Sequence, residues 1–203
     1  PGVTRACRAT AVTRMGAEEV DAHFSASSLR PGAGWETWEG IPGVAVSDLT
    51  SNPAYIADTP TQFGVLGRGD LLEAPIDAND NIGNRLTAYF LAPQTGDYTF
   101  VIASDDNGEL WLGSDESSVE LIASVPVWTS PREWDKFPQQ TSAPQRLQAG
   151  SYYFMKALAK EGGGGDNLAV GVTLPNGEDL RPIPVQGYLF YDAPNPGAGQ
   201  FVV

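Results

Sequence analysis

Apolar residues recur at every second position in several short runs of the chain, and Gly or Pro closes each run. Asn84 to Ala92, N-R-L-T-A-Y-F-L-A, is predicted to be a strand. The P-Q-T-G turn follows it, with Pro93 presetting the first central φ. In Tyr98 to Ser104, Tyr98, Phe100 and Ile102 fall on one face and Thr99, Val101 and Ala103 on the other. Neither face is polar, so this strand is expected to lie buried between two layers. Asp105 to Gly108 then reads as a turn, and Glu109 to Leu112 as the return strand of a hairpin. Tyr152 to Lys160 alternates again. Glu161 to Asn167 reads as the end loop of a second hairpin, whose return strand carries Leu168, Val170, Val172 and Leu174 on one face.

The rest of the pattern is less regular. From Trp35 through Pro60, Gly and Pro punctuate a loop-rich segment with short strands such as Val44 to Leu49. Met15 to Leu29 fits either a helix, through Val20 and Phe24, or an edge strand. Pro131 to Phe137 fits one short helix with Pro in its first turn. No internal repeat is present. The sum predicts an all-β fold, an antiparallel β-sandwich with long loops and at most short helices. It is expected to be a single globular domain over residues 35–203, preceded by an N-terminal extension or edge strand over residues 1–34.

Composition narrows the function. The net charge of −13 argues against nucleic acid and against anionic membrane surfaces. It suits a calcium-containing exterior, and it also simply keeps a protein soluble. Cys7 and His23 are the only residues of their kinds. An intrachain disulfide, a Cys-based zinc site, His-cluster metals and most Ser-His or Cys-His catalysis are therefore excluded. No apolar run approaches the roughly 18 residues of a membrane span, so no membrane insertion is expected. No signal-peptide pattern is present, and the abrupt ends lead us to expect a part of a larger polypeptide, extracellular, secreted or at the cell surface. Without disulfides, bound metal is one route to stability there.

Two acidic loops carry the candidate chemistry: S-D-D-N-G-E and K-E-G-G-G-G-D-N. Each offers carboxylate and amide oxygens and neither sulfur nor imidazole. Hard oxygens suit calcium, and a glycine run can turn its carbonyls toward a cation. A divalent ion would convert the repulsion between Asp105 and Asp106 into shared attraction. Both stretches are equally good turn sequences, D-D-N-G through its Asx residues and glycine.

The motif G-x-R-x-x-x-Y-x-x-x-P-x-T-G-x-Y-T-F-x-x-x-S-D-D-x-x-x-L-W-L spans Gly83 to Leu112. L-x-A-G-x-Y-Y (Leu147 to Tyr153), K-E-G-x-G-G-D-N-L-A-V (Lys160 to Val170) and R-P-I-P (Arg181 to Pro184) follow it. W-E-G-I-P-G-V-A-V-S-D-L (Trp38 to Leu49) precedes it. Together they resemble the PA-fourteen domain, a family named after the anthrax toxin protective antigen. The resemblance covers roughly Trp35 to Tyr191.

It implies a β-sandwich lectin module in which two adjacent aspartates, joined by a cis peptide, bind calcium and a second loop completes the coordination. Asp105 and Asp106 match the pair. Asp166 is the expected side-chain ligand of the second loop, Gly163 and Gly165 are carbonyl candidates, and Glu161 and Asn167 are either ligands or sugar contacts. Asp105, Asp106 and Asp166 would also accept hydrogen bonds from sugar hydroxyls. Trp128 and Trp134 could pack on a sugar face, or instead fill the sandwich or pin their own excursion, while Trp111 is expected to be packed within the structure. Asp77, Asp80 and Asn81 could hold a second ion.

The implied function is a calcium-dependent carbohydrate-binding module of an adhesin, its partners being glycans on cell surfaces or polysaccharides. The alternatives are a calcium-stabilised spacer or protein-interaction domain, and an accessory domain of a glycoside hydrolase. Glu109, Glu133, Glu161 and Asp166 are available to an enzyme. A catalytic acid needs a burial-raised pKa, however, and these loops read as open, so no enzyme is expected.

Overall fold

In Ile82–Leu91 the alternation buries Leu86, Ala88 and Phe90 and leaves Arg85, Thr87 and Tyr89 half-buried on the opposite face. The computed structural model describes residues 29–192. Their elements in chain order are β1 (Leu29–Pro31), β2 (Ala33–Trp38), α1 (Val46–Thr50), α2 (Pro53–Ile56), β3 (Gln62–Leu66), β4 (Ile82–Leu91) and β5 (Gly96–Asp105). There follow β6 (Asn107–Gly113), β7 (Glu120–Val125), β8 (Gln145–Leu147), β9 (Tyr152–Glu161), β10 (Asn167–Thr173), β11 (Asp179–Leu180) and β12 (Leu189–Asp192).

Two antiparallel sheets face one another. The larger runs β1-β12-β4-β9-β6-β7, with β2 sharing an edge of β4 with β12 and carrying β3 on its other side. The smaller runs β11-β10-β5-β8. Tyr98, Phe100, Ile102, Leu168, Val170 and Val172 of the small sheet meet Leu86, Phe90, Leu110, Leu112 and Met155 of the large one. Phe90 sits edge-on to Phe100, with ring centroids 5.5 Å apart. Each such buried side chain stabilises the fold by roughly 1.5–3 kcal/mol. This is the expected antiparallel sandwich.

The two expected hairpins are not hairpins. β5 and β6 are separated by Asp106 alone and lie in opposite sheets, β5 beside β10 and β6 beside β9. β9 and β10 also lie in opposite sheets. Both acidic loops are therefore crossovers between layers. Alternation reports which face of a strand is buried and says nothing about which neighbour it bonds. Gly108 makes the first crossover sterically possible, because a Cβ there would lie 2.3 Å from Ser104 Oγ and 3.2 Å from Leu158 O. Asn167 pairs opposite Asp105, and Asn107 opposite Lys160, so both crossovers turn at the same end of the sandwich.

Three local expectations change. Val44 to Leu49 contributes to α1, not to a strand. Val46 and Leu49, three apart, bury one helical face, and Asp48 accepts from Ala45 N at 3.0 Å at its start. Leu49 packs over the large sheet where Gly83 leaves room, and with Trp38, Ile41 and Tyr55 it forms a second small core. The helix expected over Pro131 to Phe137 is absent. Arg132 takes φ 59°, which breaks helical geometry, and only a single tight turn, Pro138–Gln140, follows. Trp111 is half-buried on the outer face of β6, its Nε1 donating to Glu109 Oε2 at 3.1 Å, not packed in the interior.

Trp35 falls inside β2, and β1 before it pairs with β12. Apart from Leu29, the helix-or-strand alternative over Met15 to Leu29 lies outside the described residues. No helix among the described residues is long and apolar enough to cross a membrane.

Candidate functional site

The site is built on the one-residue crossover. The Asp105–Asp106 peptide bond is cis. Asp106 N donates to Lys160 O at 3.1 Å, and Ser104 Oγ donates to Asp106 O at 3.0 Å. The buried Thr129 braces the corner from outside. Ser104 N donates to Thr129 Oγ1 at 3.0 Å, and Thr129 N donates to Ser104 O at 2.8 Å. Trp128 and Asp105 form a β-bridge. The second crossover closes on the first, since Gly162 N donates to Asp106 Oδ2 at 3.1 Å and Asn167 Nδ2 to Thr129 O at 2.8 Å.

This brings three of the expected residues together. One carboxylate oxygen each from Asp105, Asp106 and Glu161 lies within 4.8 Å of the others. Glu161 is 2% exposed, and neither of its carboxylate oxygens has a donor. Asn167 Oδ1 and Asp166 Oδ1 are likewise buried without a partner. Buried acceptors are almost always satisfied, so a group of oxygens without protein donors at one corner is a place for ordered water or a cation. Calcium–oxygen bonds are about 2.3–2.6 Å, which places oxygens on opposite sides of one ion up to about 5 Å apart. The donor set and its spacing fit calcium.

The second loop is braced by the D-A-N-D-N turn. Asp166 Oδ2 accepts from Ala78 N at 2.5 Å and Asn79 N at 3.1 Å, and Asp166 O accepts from Asp77 N at 3.0 Å. Asp80 Oδ1 accepts from Gly164 N at 3.1 Å, and Asn81 N donates to Gly162 O at 3.3 Å. A Cβ at Gly165 would lie 3.2 Å from Asp77 Oδ1 and 3.8 Å from Asp105 Oδ2, whereas Gly163 faces open solvent. Asp166 and Asn167 thus stand beside the carboxylate trio, Asn167 paired opposite Asp105, and Asp77, Asp80 and Asn81 border the same loop.

Two lysines that sequence reading left aside stand nearby. Lys160 is fully buried, its Nζ donating to Gly43 O at 2.8 Å and to Glu161 O. Burial holds its pKa below the usual lysine value. In sequence it is one more polar position on an alternating strand. Only the α1 cover on that outer face makes it interior. Lys136 Nζ lies 2.9 Å from the centre of the Trp128 ring. Burial, then the adjacent Asp106 charge, pushes the Asp105 carboxyl up to about 6, with Lys136 pulling the other way. The same two causes push Glu161 up to about 7, and burial raises Asp166. Trp128 is 45% exposed beside this corner, while Trp134 is half-buried.

The fold and site together define a β-sandwich domain with a carboxylate-lined rim. The sequence profile of the PA14 domain matches residues 45–183, and the chain belongs to that family. Among curated proteins, the chain is similar to the mouse N-acetyl-beta-glucosaminyl-glycoprotein 4-beta-N-acetylgalactosaminyltransferase 1. They are 40% identical over 98 residues, which is 45% of this chain and 10% of that protein. It is also similar to the Saccharomyces cerevisiae Flocculation protein FLO9, 30% identical over 119 residues, 54% of this chain and 9% of that one. The chain thus matches about a tenth of each of these relatives' length.

Among solved structures, the Epithelial Adhesin 9 A domain of Candida glabrata, in complex with Galb1-4GlcNAc, superposes with a TM-score of 0.58 at 16% identity. The match covers 82% of this chain and 91% of that one. A PA14 sugar-binding domain from an RTX adhesin gives a TM-score of 0.53 at 14% identity, over 73% and 93% of the two chains. At these identities the likeness is one of fold.

Proposed function

We propose that the chain is a calcium-dependent carbohydrate-binding module of a secreted or cell-surface multidomain adhesin. The observation that carries this reading is the convergence of Asp105, Asp106 and Glu161 within 4.8 Å, beside buried oxygens that have no donor. The flocculation-protein relatives and the sugar-bound adhesin neighbour support the choice of glycans as the ligand class. Calcium held there supplies coordination positions that two neighbouring sugar hydroxyls can fill. The chain's residues do the rest. Asp105, Asp106 and Glu161 hold the ion, with Asp166 and Asn167 as further oxygen donors. The exposed Gly163, Gly164 and Gly165 leave the solvent side of the corner uncovered. Trp128, 45% exposed, offers a sugar ring the part of its indole that Lys136 does not cover.

A glycosidase reading gains one point from the structure, since the expectation of open loops without a buried acid fails at Glu161. The spacing argues otherwise. Hydrolysis of glycosides sets its two carboxyl groups on either side of a bound sugar, whereas these three gather their oxygens at one corner. Two grooves among the described residues also lie elsewhere. One of about 330 Å³ is lined by Glu36, Phe63, Arg85 and Tyr89, and another of about 480 Å³ by Asp70, Glu73, Ile76 and Arg132. A glycan-array screen in calcium and again in excess chelator tests the proposal. Glycan binding that disappears with chelator is the expected result. Binding that survives chelation refutes the calcium dependence, and no binding in either buffer leaves a structural or protein-interaction module.

A further inference from the structure

The rim carries one positive group whose position the calcium site does not explain. Lys136 Nζ lies 2.9 Å from the centre of the Trp128 ring and 5.6 Å from that of Phe137. It forms no ion pair among the described residues, although the protein carries a net charge of −13. Trp128 is tied to Asp105 by a β-bridge, so the ammonium is held against the wall of the acidic corner. Its charge is felt at Asp105.

Cations on indole faces gain about 0.5–2 kcal/mol, enough to hold a lysine in place but less than a charge-assisted hydrogen bond supplies. Once calcium neutralises Asp105, the ammonium is left on the ring, repelled by the ion and without a counter-charge. An anionic group on the ligand is what that position lacks.

We infer that Lys136, laid on Trp128 at the edge of the corner, makes the site select sugars that carry an anionic substituent, a carboxylate or a sulfate. This rests on the carbohydrate-binding reading and deepens it. The sugar's hydroxyls face the calcium corner, its ring lies against Trp128, and its acidic substituent accepts hydrogen bonds from Lys136 Nζ. The protein as a whole repels polyanions. Lys136 and the bound ion reverse that sign locally, so the preference is for one acidic group at one position and not for acidic polymers in general.

The test is an array of neutral galactosides, mannosides and glucosides printed beside their uronic-acid and O-sulfated counterparts, probed in saturating calcium. Wild type and Lys136→Met are compared, since Met keeps an aliphatic chain on Trp128 and removes the charge. The expected result is at least one acidic form bound about tenfold more tightly than its neutral parent by the wild type. The Lys136→Met variant should bring that ratio close to one. Which acidic form wins distinguishes carboxylate from sulfate. A second readout is the Lys136 ε-methylene NMR resonance, ring-shifted by Trp128, which should move on adding the acidic sugar and not its neutral parent. Neutral sugars bound as well as acidic ones, a ratio that survives Lys136→Met, or an unmoved resonance overturns the inference and leaves the carbohydrate reading standing. No sugar bound at all refutes the carbohydrate reading, and this inference with it.

Discussion

Replacing Glu161 with Gln should have opposite effects with and without calcium. Glu161 is 2% exposed, its carboxylate oxygens have no donor, and its carboxyl is pushed up from 4.5 to about 7 by burial and by Asp106. A pKa raised on folding stabilises the fold below the unfolded value, and that stability is lost as pH rises through the folded value. Near pH 8 in chelator, the ionised side chain therefore opposes folding by up to roughly 3 kcal/mol. A buried amide without partners has its own cost of about 1–3 kcal/mol. The net gain from Glu161→Gln is then about 1 kcal/mol, or roughly 2–4 °C in melting temperature for a domain of this size.

Well below pH 4.5 the gain should vanish, because both states of the wild type are then largely protonated at this position. Calcium reverses the order. At about 100 times its Kd the ion adds roughly 2.7 kcal/mol to the wild type, and the variant, with one of three clustered carboxylates gone, should gain far less. The assay is thermal unfolding of both proteins in chelator and in calcium across the pH range. A variant that is less stable than wild type in chelator near pH 8, and shifted equally by calcium, would refute the reasoning.

Three further outcomes follow from the packing. Gly108→Ala places a Cβ against Ser104 and the Leu158 carbonyl. It should cost about 1–3 kcal/mol in urea unfolding. Leu49→Ala empties the small core under α1, where Leu49 is fully buried, and should cost about 2–5 kcal/mol by the same assay. Trp128→Ala should lower glycan affinity at least severalfold while leaving calcium affinity, measured by calorimetry, within about twofold of wild type. The contrast follows because Trp128 meets the acidic corner through its backbone at Asp105 and offers only its ring to the ligand.

The sequence made the strands legible because their periodicity is local. Tyr98 to Ser104 and Tyr152 to Lys160 alternate in sequence and form β5 and β9 in the structure. It did not reveal which strands bond to which. Asp105 to Gly108 looks like a hairpin turn, because one residue linking two layers and a tight turn linking two neighbours use the same residue types. Val44 to Leu49 reads as a strand because its apolar residues are too few to fix a period, and packing over Gly83 makes it part of a helix instead. At the site, Asp105, Asp106 and Glu161 were visible as oxygen donors in two loops. The burial of Glu161 was not, since it faces the interior beside Ile82 and meets Asp105 and Asp106 of the other crossover, all distant in sequence. Lys136 on Trp128 depends on an excursion whose helical pattern Arg132 breaks, and no local signal marks that pairing.

The most direct test of the account is calorimetric titration of calcium into chelator-stripped protein, run on the wild type and on an Asp105→Asn, Asp106→Asn double variant. The account predicts saturable calcium binding by the wild type, with a Kd on the order of micromolar to millimolar, and no measurable heat from the variant. Equal calcium binding by both proteins, or none by the wild type, would contradict it.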